Sequence, residues 1–127
     1  MSDATTQGIR VQVHPAYVPE RSDADRSFYF FAYTITITNE GDTPAQLIAR
    51  RWLITDGAGR EERVEGPGVV GEQPRLEPGE SFEYTSACPL RTEVGTMEGS
   101  YLMVRDNGDR FDARIAPFTL AVPTALQ

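Results

Sequence analysis

The sequence predicts an all-β domain. Apolar and polar residues alternate at strand length from one end of the chain to the other, clusters rich in Gly, Pro, Asn and Asp separate these runs, and no window carries a helical period. A chain of 127 residues is the size of one domain, able to bury roughly two thirds of the surface its unfolded form exposes. Residues 1–127 are therefore expected as a single unit, with residues 1–7 as a flexible N-terminal tail.

The runs follow in order. Residues 9–13, IRVQV, alternate cleanly, and Pro15 and Pro19 limit this strand to an edge or an irregular continuation, because proline has no N–H to give a ladder. Residues 28–39, FYFFAYTITITN, form the clearest strand. Tyr29, Phe31, Tyr33, Ile35 and Ile37 share one face and Thr34, Thr36 and Thr38 the other, which assigns the aromatic face to the core. The turn cluster at 40–45 leads into a second long strand at 46–55, and Asp56-Gly57-Ala58-Gly59 reverses it into the short polar strand REERVE at 60–65. Beyond a glycine-rich segment come Leu76, a turn at 77–80 and the strand SFEYTS at 81–86. Residues 97–106 and 110–122 flank Asn107-Gly108, a hairpin signal in which both turn positions take positive φ. About seven or eight antiparallel strands joined by turns indicate an immunoglobulin-like or fibronectin type III-like β-sandwich, with Trp52 filling the layer opposite the aromatic face.

Charge excludes several function classes. The formal net charge of -7 repels phosphate backbones and anionic lipid headgroups, so neither nucleic acid nor a membrane is an expected partner. All 12 basic residues are arginine. The absence of lysine removes the Walker-type phosphate lysine and every Schiff-base mechanism. The single cysteine, Cys88, has no partner for an intramolecular disulfide, and residues 1–10 lack the apolar stretch of a secretory leader, which points to the cytoplasm. No apolar run reaches the roughly 18 residues a membrane-spanning helix needs.

One spacing raises a question of chemistry. Gly66-Pro67-Gly68-Val69-Val70-Gly71 matches the G-x-G-x-x-G pattern that elsewhere cradles a pyrophosphate. That use requires a buried parallel strand before the glycines and a helix after them, whose N-terminal amides face the phosphate. REERVE is too polar for such a strand, and Pro74 and Pro78 block a helix. The glycines are instead expected to let a loop turn tightly, with Val69 and Val70 pinning it to the sandwich. The alternative is an anion site built from loop amides with Gln73, Arg50 and Arg75 beside them. Arg50 and Arg51, adjacent on a strand, point to opposite faces. The one that shares the face of Trp52 is expected to be salt-bridged to a carboxylate or to reach outward.

Metal and nucleophile chemistry find little support. His14 and Cys88 stand outside any ligand-spaced motif, so no metal site and no cofactor are expected. Asp106, Asp109 and Asp112 with Glu98 form an oxygen-rich group, but Arg110 occupies the fifth position of a would-be calcium loop and no glutamate closes it. No G-x-S-x-G elbow is present, and Cys88, followed by Pro89, reads as a buried filler.

The order G-x-G-V-V-G-x-Q-P-x-L-x-P-G-E, then F-x-Y-T-S, then G-x-M-x-G-x-Y, with ARRWLITDG upstream, closely resembles the ApaG family over nearly the whole chain. That resemblance implies a single fibronectin type III-like or immunoglobulin-like sandwich. It also implies a bacterial cytoplasmic protein linked by name to cobalt and magnesium efflux, whose relatives' genes neighbour those for diadenosine tetraphosphate hydrolysis and rRNA dimethylation. A similar domain attached to eukaryotic F-box proteins and to a DNA polymerase δ-interacting protein mediates protein contacts. No catalytic residue carries over. The expected function is a non-enzymatic module that offers the loop bearing Gly66, Gly68, Gly71, Gln73 and Arg75, with Arg50, to a protein partner or a small anionic ligand. Direct binding of a divalent cation or of a nucleotide pyrophosphate is the alternative, and edge strands leave a homodimer open.

Overall fold

Period-two alternation dictates two layers, each turning its apolar face to the other. The computed structural model describes residues 1–126, so the last residue of the expected domain lies outside the described residues. The strands are β1 (Ser2–Thr6), β2 (Ile9–Tyr17), β3 (Tyr29–Asn39), β4 (Ala45–Asp56), β5 (Glu61–Pro67), β6 (Arg75–Leu76), β7 (Ser81–Leu90), β8 (Val94–Arg105) and β9 (Arg110–Ala121). Short 3-10 turns occupy Pro19–Arg21, Ala24–Arg26 and Pro123–Leu126. One sheet runs β1-β2-β3-β7 and the other β5-β4-β8-β9, with β6 also pairing β4, and every pairing is antiparallel. This is the two-sheet sandwich the sequence predicts.

The core lies where the alternation places it. Phe31, Tyr33, Ile35 and Ile37 of β3 are buried, as are Leu47 and Trp52 of β4 across the interface. The Trp52 indole meets Tyr33 edge-on at a centroid distance of 5.5 Å and Phe118 at 6.0 Å, the geometry aromatic quadrupoles favour. Asn39, fully buried at the end of β3, is satisfied on all sides. Its Nδ2 donates to the carbonyls of Thr43 and Leu76, and its Oδ1 accepts from the Gly41 N–H.

Two expectations need correction, and that for the strand at residues 9–13 holds. Residues 1–7 are not a tail: Ser2–Thr6 forms β1, paired with β2 from Ser2↔Val13 to Thr6↔Ile9. The hairpin turns on Gln7 and Gly8, both at positive φ (46° and 83°), which is the type I′ arrangement with glutamine in a place usually taken by asparagine. As its prolines predict, β2 becomes an edge strand past Val13: it runs on through Pro15 to Tyr17 with β3 as its partner there, and since Pro15 lies beyond the last β1 pairing a missing N–H on that side costs no ladder bond. At the β8–β9 hairpin only Gly108 has positive φ. Gly108 N–H donates to the Arg105 carbonyl and the Asn107 side chain accepts from the Asp109 N–H, a type I turn followed by a left-handed glycine.

The two sides of the sandwich differ. On one, β9 packs against β1 and β2, and Arg114 N–H donates to Thr6 Oγ1 at 3.1 Å. On the other, the edge strands β5 and β7 stand apart and a cleft opens between the sheets.

Candidate functional site

β5 and β6 lie along one line beside β4. Ala49↔Pro67 is the last pair of β5, and Gln46↔Arg75 begins β6. Residues 68–74 therefore leave the edge of the sheet and rejoin it almost where they left. β4 accommodates this with a bulge: Leu47 pairs with Met103 and Ala49 with Leu102, so Ile48 is the extra residue. The Ile48 carbonyl accepts from the Gly68 N–H at 2.8 Å and from Gln73 Nε2 at 2.9 Å, and the Leu47 N–H donates to the Pro74 carbonyl. A bulge re-aims backbone groups that a regular ladder would consume, and here those groups hold the base of the loop.

The loop is itself a hairpin. Val69 and Glu72 exchange two backbone hydrogen bonds, 2.8 and 2.9 Å, around Val70 and Gly71, whose φ values are 45° and 80°. Two consecutive positive φ angles define a type I′ turn. Gly68 is also left-handed at 60°, and a Cβ there would sit 2.3 Å from the Glu72 carbonyl oxygen. No helix begins at Gly71, so the dipole a phosphate cradle needs is absent at this spot. Val69 is 1% exposed and anchors the hairpin, as expected. Val70 does not: it is 56% exposed and holds a conformation that a β-branched residue rarely adopts.

The remaining residues singled out from the sequence separate into two groups. Gly66 lies within β5 at ordinary φ, and what it supplies is room: a Cβ would come 2.9 Å from Arg50 Nη2. Arg50, on Trp52's face of β4, is not salt-bridged among the described residues. Its Nη1 instead donates to the carbonyls of Pro67 and Gly68, each at 3.0 Å. Arg51 on the outer face is the one that meets a carboxylate, Glu65, at 2.9 Å. Arg75 does not join the loop: its guanidinium is taken by Asp106 and Glu77, and it does not line the cleft. Asp109 bonds Asn107, and among the described residues no group of three or more His, Cys, Asp or Glu could hold a metal ion.

Beneath the hairpin lies a cleft of about 490 Å³. Val69, Val70 and Gly71 form its lip, and Arg50, Trp52 and Ile54 of β4 line one wall. Tyr33, Tyr84 and the consecutive residues Ser86–Leu90 of β7 line the other. Tyr84 and Tyr101 share a short hydroxyl–hydroxyl hydrogen bond in the interior. Burial raises the pKa of the Tyr84 phenol, an effect its bond to Tyr101 and the charge of Arg50 only partly offset. Burial, with a smaller contribution from Glu62, pushes the Cys88 thiol up to about 11. A thiol so shifted is protonated at neutral pH and inert as a nucleophile. The cleft is not legible in the sequence because its walls come from β4, β5 and β7, brought together only by the packing; the one local trace is the Arg-x-Trp alternation of Arg50 and Trp52.

Comparison with known proteins places this geometry among relatives. A family model described as the ApaG domain matches residues 19–105. A protein called ApaG from Anaeromyxobacter dehalogenans is 56% identical over 126 residues, covering 99% of both chains. A second, from Bordetella pertussis, is 56% identical over 118 residues, covering 93% of this chain and 90% of that one. The crystal structure of an ApaA protein from Bordetella pertussis superposes with a TM-score of 0.89 at 56% identity, over 91% of this chain and 94% of the other. The C-terminal domain of wzt, at 13% identity and a TM-score of 0.54, shares the fold alone.

Proposed function

Since the chain belongs to the ApaG domain family, we propose that it is a non-enzymatic interaction module of the cytoplasm, presenting the 68–74 hairpin and the cleft beneath it to a protein partner. The observation that supports this reading most directly is Val70. An exposed apolar side chain sits in a strained left-handed conformation, at the tip of a hairpin whose base is tied down by Arg50 and by the Ile48 bulge. Strain of this kind persists where the surroundings over-determine it, and it gathers at contact sites. On this reading the family's association with Co2+ and Mg2+ efflux runs through the partner. Titration calorimetry with either ion is then expected to show no heat from the micromolar to the millimolar range.

The test is affinity capture with wild type and Val70→Asn, with the partner identified by mass spectrometry. Asparagine accepts the left-handed conformation and removes the apolar tip, so folding is retained while recovery of the partner falls. Equal recovery by both proteins would overturn the proposal.

A further inference from the structure

One carboxylate, Glu62 of β5, and the Ser86 hydroxyl line the cleft; the other polar side chains that face it, Arg50, Tyr33 and Tyr84, can all donate. Tyr101 is fully buried, and among the described residues its only side-chain hydrogen-bond partner is the hydroxyl of Tyr84. A buried hydroxyl that only accepted would leave its own proton unsatisfied, so Tyr101 donates, and the Tyr84 proton is left to point into the cleft that Tyr84 lines. Tyr33 brings a second phenol hydroxyl to the same wall. Arg50 spends Nη1 on the Pro67 and Gly68 carbonyls, while its Nε and Nη2 make no hydrogen bond among the described residues and are not sealed from solvent. A guanidinium fork and two hydroxyls border one cleft, and on their side, away from Glu62, the matching group is acceptor-only, with several lone pairs and a negative charge. That is the description of a carboxylate.

Three further features choose its bearer. Trp52, Ile54, Met97 and Leu90 make the rest of the lining apolar, so the carboxylate must be carried next to an apolar side chain. The net charge of -7 disfavours polyanions, whose extra charges would face the acidic surface. A strand passing along β7 would meet Pro89, which has no N–H to pair, whereas about 490 Å³ suffices for the last residues of a chain end. Building on the partner-binding reading above, we propose that the cleft captures the C-terminal carboxylate of an extended partner segment, on Arg50 and the Tyr84 hydroxyl, with the final apolar side chain against Trp52.

The experiment is an NMR titration of the full chain with acetyl-Val-Ala-Leu as the free acid, with its C-terminal amide, and with 4-methylpentanoate. The free acid is expected to move the Arg50 Nε–H resonance and the amides of Gly68 and Gly71 saturably, and to bind at least about ten-fold more tightly than the amide. Tyr84→Phe, which removes one hydroxyl from a folded core, is expected to weaken the acid by about three- to ten-fold. Equal binding of acid and amide, or shifts confined to other surfaces, would overturn the proposal. Binding of 4-methylpentanoate as tight as that of the peptide would replace the chain end by a small free carboxylate and equally overturn it. The two readings fail separately. Loss of partner capture by Val70→Asn alongside equal binding of acid and amide leaves the hairpin contact standing without the chain-end site. Selective acid binding alongside undiminished capture does the reverse.

Discussion

Single residues show most clearly what a one-dimensional reading can and cannot see. Val70 was expected to pin the loop and instead stands at its tip in a left-handed conformation. Nothing in a Val-Val pair reveals that two adjacent, chemically identical side chains end up with opposite exposure, because a turn of type I′ lies between them. A left-handed β-branched residue carries roughly 1–2 kcal/mol of local strain. Val70→Asn should therefore raise unfolding stability by about 1 kcal/mol and the midpoint of thermal unfolding by about 4 °C, measured by denaturant and by calorimetry. A stabilising change at the position argued to meet the partner would be the signature of strain kept for function. Arg50 makes a related point: its placement on the inner face was legible from its spacing to Trp52, but its partners, two backbone carbonyls, were not. Cys88 is buried, as its place before Pro89 predicts. With its thiol pushed up to about 11, chiefly by burial, its reaction with a disulfide reagent at pH 8 should run about two to three orders of magnitude slower than that of an unshifted thiol, followed by absorbance.

Elements were read best where alternation is long and worst where a turn lacks its usual residue. The long strands β3, β4, β8 and β9 stand within a few residues of their expected bounds, because each keeps one face apolar over its length. β1 was missed: Gln7-Gly8 makes the type I′ turn that Asn-Gly announces, yet the pair carries no such signal. β6, only Arg75–Leu76, is too short for any periodicity. Within the 68–74 hairpin the glycines are unequal, and substitution should reveal it. Gly71 needs only its positive φ, since a Cβ there would meet nothing within 4 Å, so Gly71→Ala should cost about 1 kcal/mol. Gly68 has both a positive φ and the Glu72 carbonyl 2.3 Å from where a Cβ would stand. Gly68→Ala should cost more than about 3 kcal/mol and broaden the amides of residues 68–74, checked by denaturant unfolding and NMR. Similar losses for both would mean that the Val69–Glu72 closure matters less than the distances imply.

Across the whole molecule, one seam between the sheets is closed by β1, β2 and β9, while the other is left open between β5 and β7. The distinction is tertiary and left no mark in the sequence. The edge at β6 is bound to the turn between β8 and β9 through Arg75 and Asp106, whose carboxyl is held below its ordinary pKa chiefly by hydrogen bonds from that guanidinium. A carboxyl depressed in the folded state stabilises it above the unfolded pKa, near 4, and that share is lost as pH falls through the folded value. The unfolding midpoint of Asp106→Asn should thus lie below that of wild type at pH 6, with the gap closing as pH falls past the ordinary carboxylate range; a gap independent of pH would exclude the ion pair as its source. The path of residues 68–74, out from one edge line and back into it, carries a wider implication. A detour that starts and finishes at neighbouring points can be lengthened, shortened or exchanged for another without shifting any strand of the frame. On the proposed reading the sandwich is a socket with an interchangeable head, and transplanting this segment between relatives should carry the choice of partner with it.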